Sequence, residues 1–105
     1  MPNNQKERFI ANQPLFSENF MKTAEQILII EDDPVVRHFL KASLMRQKYH
    51  INEAATAEDG LSKAAQGAPD LILLDLGLPD IDGIEVVSQL RGWMQTPIIV
   101  LSSRD

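Results

Sequence analysis

Residues 70–83 read DLILLDLGLPDIDG. Leu71 to Leu74 form an unbroken apolar run, too short for a helix and suited to a strand covered on both faces. The run closes on Asp75 and passes at once into a loop rich in Gly, Pro and Asp. A carboxylate is therefore expected at the carboxyl end of a buried strand.

Two other runs share this design. Upstream, ILII at 27–30 ends in Glu31 and Asp32; downstream, PIIVL at 97–101 ends in Ser102 and Ser103. Between them the pattern is helical. Asp33 before Pro34 is an N-cap with proline at the first helical position, and Val36, Phe39, Leu40, Ser43 and Leu44 recur at helical spacing, which predicts a helix from Pro34 to about Lys48. Tyr49 to Ala54 reads as a shorter strand. Thr56 caps a helix with Leu61, Ala64 and Ala65 facing inward, ended by Gly67 and Pro69. Ile84, Val87, Leu90 and Met94 give the following helix its buried stripe, and Gly92 weakens its last turn. Strand and helix alternate through short connections without repeat or low-complexity tract. Such a chain predicts an α/β fold with a parallel sheet and right-handed crossovers.

Residues 1–24 differ in kind: they are rich in Asn, Gln and charge, show no sustained period, and read as a flexible arm on which Phe9, Phe16 and Phe20 could dock loosely. Met21, just before the first strand, offers a second start beside Met1. Residues 25–105 form the single domain expected of a 105-residue chain. A hydrophobic share of 44% and a charged share of 24% fit an ordinary globular protein. The net charge of −5 argues against a nucleic-acid surface in this segment. The absence of cysteine excludes disulfides, thiolate zinc sites and thiol catalysis. Without a membrane-length apolar run or a secretory leader, a cytoplasmic protein is expected.

In open α/β sheets, ligands bind outside the carboxyl ends of strands where the winding reverses. If the first, third and fourth strands are neighbours, about 4.8 Å apart, Glu31, Asp32, Asp75 and Ser102 converge there. Two carboxylates 4 Å apart repel by about 4 kcal/mol at an effective dielectric near 20, so a cation is expected among them. An all-oxygen set without His or Cys suits Mg²⁺. A carboxylate beside such an ion can attack an activated phosphorus in line, while a hydroxyl donor stabilises the phosphoryl oxygens. Asp75 is the candidate nucleophile and Ser102 the candidate donor. Asp80 and Asp82, within Pro-Asp-x-Asp-Gly, read as turn residues rather than a second metal site. His38 and His50 are isolated and lack zinc-like spacing. The basic residues Arg37, Lys41, Arg46 and Lys48 read as a solvated face, and Trp93 as a packing residue.

IEDDPVVR at 30–37, DLILLDLGLPDIDG at 70–83 and PIIVLSS at 97–103 together resemble the receiver domains of two-component response regulators. Within that family, LDLGLPDIDGIE with Trp93 soon after it is most like the Kdp potassium-transport regulators. The resemblance implies a doubly wound, flavodoxin-like (CheY-like) parallel sheet and an Asp75 that takes a phosphoryl group from a sensor histidine kinase. It further implies that Asp32 binds Mg²⁺ directly, Glu31 through water and Gly77 through its main-chain carbonyl. Ser102 takes the position of the family's switch hydroxyl, and Arg37 and Lys41 lie on the helix that usually docks the kinase. A complete receiver continues into a fourth helix, a fifth strand with an essential lysine, and a fifth helix, none of them within these 105 residues. A truncated receiver is therefore expected, with PIIVL as an exposed sheet edge prone to dimerisation or aggregation. Two alternatives stand beside the phosphoacceptor. One is an interaction fragment that binds a kinase without being phosphorylated. The other is an aspartyl-nucleophile phosphatase of the haloacid-dehalogenase type, against which Gly77 speaks, because such enzymes carry an acidic side chain there.

Overall fold

The structure, a computed structural model, describes residues 25–101. Phe9, Phe16 and Phe20 of the expected arm, and the candidate donor Ser102, lie outside the described residues. The elements are β1 (Gln26–Ile30), α1 (Pro34–Met45), β2 (His50–Ala54), α2 (Ala57–Gly67), β3 (Leu71–Asp75), α3 (Gly83–Arg91) and β4 (Ile98–Leu101). All strand pairs are parallel, in the order β2-β1-β3-β4. From β1 the chain winds outward to β2, then returns across β1 to β3 and on to β4. The direction reverses between β1 and β3, at the centre of the sheet.

Because side chains alternate along a strand, β1 and β3 feed two cores. Leu28, Ile30, Ile72 and Leu74 pack with Ala57 and Ala64 of α2 and with Val86 and Leu90 of α3. On the opposite face Ile27, Ile29 and Leu73 meet Leu40 and Leu44 of α1. Central strands apolar on both faces are the expectation for a doubly wound sheet, and the fold inferred from the sequence is the one observed.

The helices depart from expectation in their details. α1 ends at Met45, before Lys48, because Lys48 takes a left-handed φ of 68° and turns the chain into β2. No residue of α1 is fully buried; Leu40 and Leu44 are half-covered, whereas Phe39 is 67% exposed. In α2 the inward residues are Ala57, Gly60 and Ala64, while Ala65 faces solvent. A Cβ on Gly60 would lie 2.6 Å from Cδ1 of Ile30, so this small face lets the helix sit directly on β1. In α3 the fully buried residues are Gly83, Val86 and Leu90; Ile84 is 66% exposed and Trp93 is also largely exposed. At the outer edge, β4 pairs with β3 and presents Ile99 and Val100 largely to solvent.

Candidate functional site

Glu31 and Asp75 are the buried charged side chains among the described residues, each 5% exposed. Strand register explains their meeting. Ile30 pairs with Leu74, so the next residue of each central strand emerges at the same level, above the point where the winding reverses. Asp32 follows on the exposed side of the β1–α1 turn. Carboxylate oxygens of Glu31, Asp32 and Asp75 lie within 4.8 Å of one another, as the sequence pattern anticipated.

Local hydrogen bonds fix these groups. The Asp33 N–H donates to Oε2 of Glu31 at 3.0 Å, and the Gly77 N–H donates to Oδ1 of Asp75 at 3.1 Å. Asp33 itself caps α1, its Oδ1 accepting from the N–H groups of Val35 at 2.9 Å and Val36 at 3.4 Å. Burial pushes the Glu31 carboxyl above its ordinary value of 4.5, the neighbouring charges of Asp75 and Asp32 push it further, and the Asp33 N–H opposes the shift. The upward shift of Glu31 marks the cleft as short of positive charge.

The loop from Leu76 to Asp82 is anchored at both ends. Asp80 spans the N-terminus of α2: its Oδ1 accepts from the Ala57 N–H at 2.8 Å and its Oδ2 from the Glu58 N–H at 2.9 Å. Those two N–H groups hold its carboxyl below the ordinary range. Asp82 caps α3 through the Ile84 N–H at 2.8 Å. Behind the loop, a Cβ on Gly83 would stand 2.7 Å from the Leu76 Cα, so only glycine permits this approach. Both carboxylates, read from the sequence as turn residues, are engaged as helix caps, Asp80 on α2 and Asp82 on α3. The long-range cap made by Asp80 had no signal in the sequence, because its partners lie 23 and 22 residues away.

The basic residues of α1 are not simply a solvated face. Arg37 Nε lies 3.3 Å from Oε1 of Glu53 and Lys41 Nζ 2.8 Å from Oε2 of the same carboxylate. Lys41 first, then Arg37, draws the Glu53 carboxyl below its ordinary range, against partial burial. Arg37 also donates through Nη1 to the main-chain carbonyls of Glu31 at 2.7 Å and Asp32 at 3.4 Å.

Can the cleft accept a divalent cation? Its donors are all carboxylate oxygens, the set preferred by hard cations. Two oxygens bound to one Mg²⁺ lie at most about 4.2 Å apart, so an oxygen spread of up to 4.8 Å leaves room for a water to replace one direct contact. The residues fit the ion.

A parallel sheet with three carboxylates clustered at its switch point, at the carboxyl ends of β1 and β3, defines a doubly wound α/β protein. The response regulator receiver domain family matches residues 27–105, and the chain belongs to it. It is a receiver domain of the two-component response regulator type. Over 78 residues it is 50% identical to the KDP operon transcriptional regulatory protein KdpE of Escherichia coli (strain K12), a match covering 74% of this chain and 35% of the relative. The Kdp likeness read from LDLGLPDIDGIE is thus borne out. The chain spans about a third of the length of the curated relatives it matches. Among solved structures, the BeF3-activated N-terminal receiver domain of Klebsiella pneumoniae RstA aligns with a TM-score of 0.74 at 34% identity, over 77% of this chain and 69% of that one. The response regulator TrrA from Thermotoga maritima, in complex with Mg(2+)-BeF, aligns with a TM-score of 0.73 at 34% identity, over 77% and 71%. Among the described residues, no helix is long and apolar enough to cross a membrane.

Proposed function

We propose that Asp75 is the phosphoacceptor of this cytoplasmic receiver domain and takes its phosphoryl group from the phosphohistidine of a sensor histidine kinase. The observation that carries this reading is a buried carboxylate at the end of β3, within 4.8 Å of Glu31 and Asp32, in a chain of the receiver family. The Gly77 N–H donating to Oδ1 fixes the orientation of the Asp75 carboxylate. In the transfer, an Asp75 O–P bond forms as the P–N bond to the kinase imidazole breaks. The electron pair stays on the ring nitrogen, and the ring leaves neutral when its other nitrogen carries a proton.

Asp32 and Asp75 would hold Mg²⁺ directly, Glu31 through water and Gly77 through its main-chain carbonyl. When bound, the ion neutralises the carboxylates and stabilises charge on the phosphoryl oxygens. Ser102 supplies the hydroxyl that hydrogen-bonds a phosphoryl oxygen and reports the modified state. The domain is a stoichiometric acceptor rather than an enzyme, since Gly77 offers no side-chain acid where an aspartyl phosphatase needs one. Its relatives are transcriptional regulators, so transcriptional control is the proposed output, and this acidic segment itself makes no nucleic-acid contact.

Incubating the chain with Mg²⁺ and acetyl phosphate tests the reading. Intact-mass measurement should show a gain of roughly 80 Da that Asp75→Asn abolishes. An unchanged wild-type mass refutes the acceptor role for this chain.

A further inference from the structure

We propose that Arg37 is a positioning residue for the acidic cleft: it clamps the main chain of the turn carrying Glu31 and Asp32 into the arrangement that admits a divalent cation. The inference rests on the Mg²⁺ site proposed above and adds a residue outside the ligand set. Its basis is geometric. Nη1 of Arg37 donates to two successive carbonyls of the turn, Glu31 at 2.7 Å and Asp32 at 3.4 Å, while Nε reaches Oε1 of Glu53 on β2 at 3.3 Å. The guanidinium is therefore held from behind by a strand and grips the turn in front. Its side chain is 21% exposed, so it is not a freely moving surface arginine.

The turn needs such a clamp. Glu31 and Asp32 carry like charges that face Asp75, and their repulsion drives the turn open. The Glu31 N–H donates to the Ala54 carbonyl of β2 at 3.0 Å and secures the first residue of the turn, while the Asp33 N–H serves the Glu31 side chain and the Asp33 carboxylate serves the start of α1. Arg37 acts on the carbonyls instead, tying the turn to β2 and placing a positive charge behind the two acids. A planar fork can meet a carbonyl and a carboxylate at once, which a lysine ammonium on its flexible stem does poorly. Residues that orient metal ligands without touching the metal commonly control affinity by about 10- to 100-fold.

Lys41 supplies an internal comparison. It binds the other oxygen of Glu53 at 2.8 Å, carries the same charge, and makes no bond to the turn. Removing it tests loss of charge without loss of the clamp.

The experiment is a calorimetric Mg²⁺ titration of the full chain and of Arg37→Gln, Arg37→Lys, Glu53→Gln and Lys41→Gln, with circular dichroism to establish folding. Arg37→Gln should weaken Mg²⁺ binding by about tenfold or more. Arg37→Lys should fail to restore it, Glu53→Gln should lose affinity through the released guanidinium, and Lys41→Gln should stay within about twofold. Wild-type affinity in folded Arg37→Gln overturns the clamp while leaving the Mg²⁺ site intact, and full recovery in Arg37→Lys reduces Arg37 to a point charge. If Arg37→Gln does not fold, unchanged affinity in Glu53→Gln overturns the clamp by itself. No Mg²⁺ binding by the wild type removes both the site and its clamp.

Discussion

Replacing Asp75 with Asn should stabilise the metal-free domain, although it destroys the proposed acceptor. At a separation of 4.8 Å and an effective dielectric near 20, two full charges repel by about 3.5 kcal/mol. Only part of this is recoverable. Asp32 is exposed and its field is screened, and Glu31 already relieves the crowding by titrating above its ordinary range. A net gain of about 1 to 2 kcal/mol remains, equivalent to a melting-temperature rise of roughly 5 to 15 °C for a domain of this size. Asn keeps an oxygen that can accept from the Gly77 N–H, so the loop anchor survives. Thermal unfolding in a chelator, and again with Mg²⁺, measures the effect. Mg²⁺ at ten times its Kd should raise wild-type stability by about 1.4 kcal/mol and the variant by less, narrowing the gap. A variant that melts at or below the wild type in chelator, or a gap indifferent to Mg²⁺, would refute the view that these carboxylates repel one another across a cation site.

Further outcomes follow from other parts of the molecule. The Glu31 carboxyl titrates higher in the folded state, so its contribution is complete below its ordinary value of 4.5 and is lost as pH rises through the raised value; denaturant titrations across pH should show this loss without metal, and Glu31→Gln should abolish it. Glu53 and Asp80 run the other way, contributing above their ordinary values of 4.5 and 3.8 and failing as pH falls through the lowered ones, which should show as acid destabilisation that Glu53→Gln lessens. Asp80→Ala should speed amide exchange at Ala57 and Glu58 while leaving Asp59, whose N–H donates to Thr56 Oγ1 at 3.1 Å, as it was. Gly83→Ala should cost about 1 to 3 kcal/mol in denaturant unfolding, because its Cβ would stand 2.7 Å from the Leu76 Cα and must displace the loop. Sedimentation of the 105-residue chain should reveal self-association through the β4 edge with Ile99 and Val100; a monomer that melts sharply and reversibly contradicts this.

The sequence exposed the strands because they are buried on both faces, and continuous apolar runs such as ILII and LILL have few other uses. It exposed the acidic cleft for a related reason: charged residues directly after such runs have no place but the sheet's end. Helix faces were harder. Of the expected stripe in α3, Leu90 is buried and Val87 and Met94 pack against the core, but Ile84 is exposed and Val86 takes the buried place, with Gly83 held close against Leu76. α2 packs through Ala57, Gly60 and Ala64, a face of small residues that a search for large apolar side chains passes over. The contacts of Asp80 with α2 and of Arg37 with Glu53 join segments distant in sequence, and only the folded chain brings them together.

Asp75, beside Glu31 and Asp32, is the proposed acceptor of the phosphoryl group. Transfer from a phosphorylated sensor histidine kinase, followed by peptide-level mass mapping with and without Mg²⁺, addresses it without intermediaries. A label confined to the peptide containing Asp75, dependent on Mg²⁺ and absent from Asp75→Asn, is the expected result. A label on another residue, or one that persists in Asp75→Asn, would contradict it.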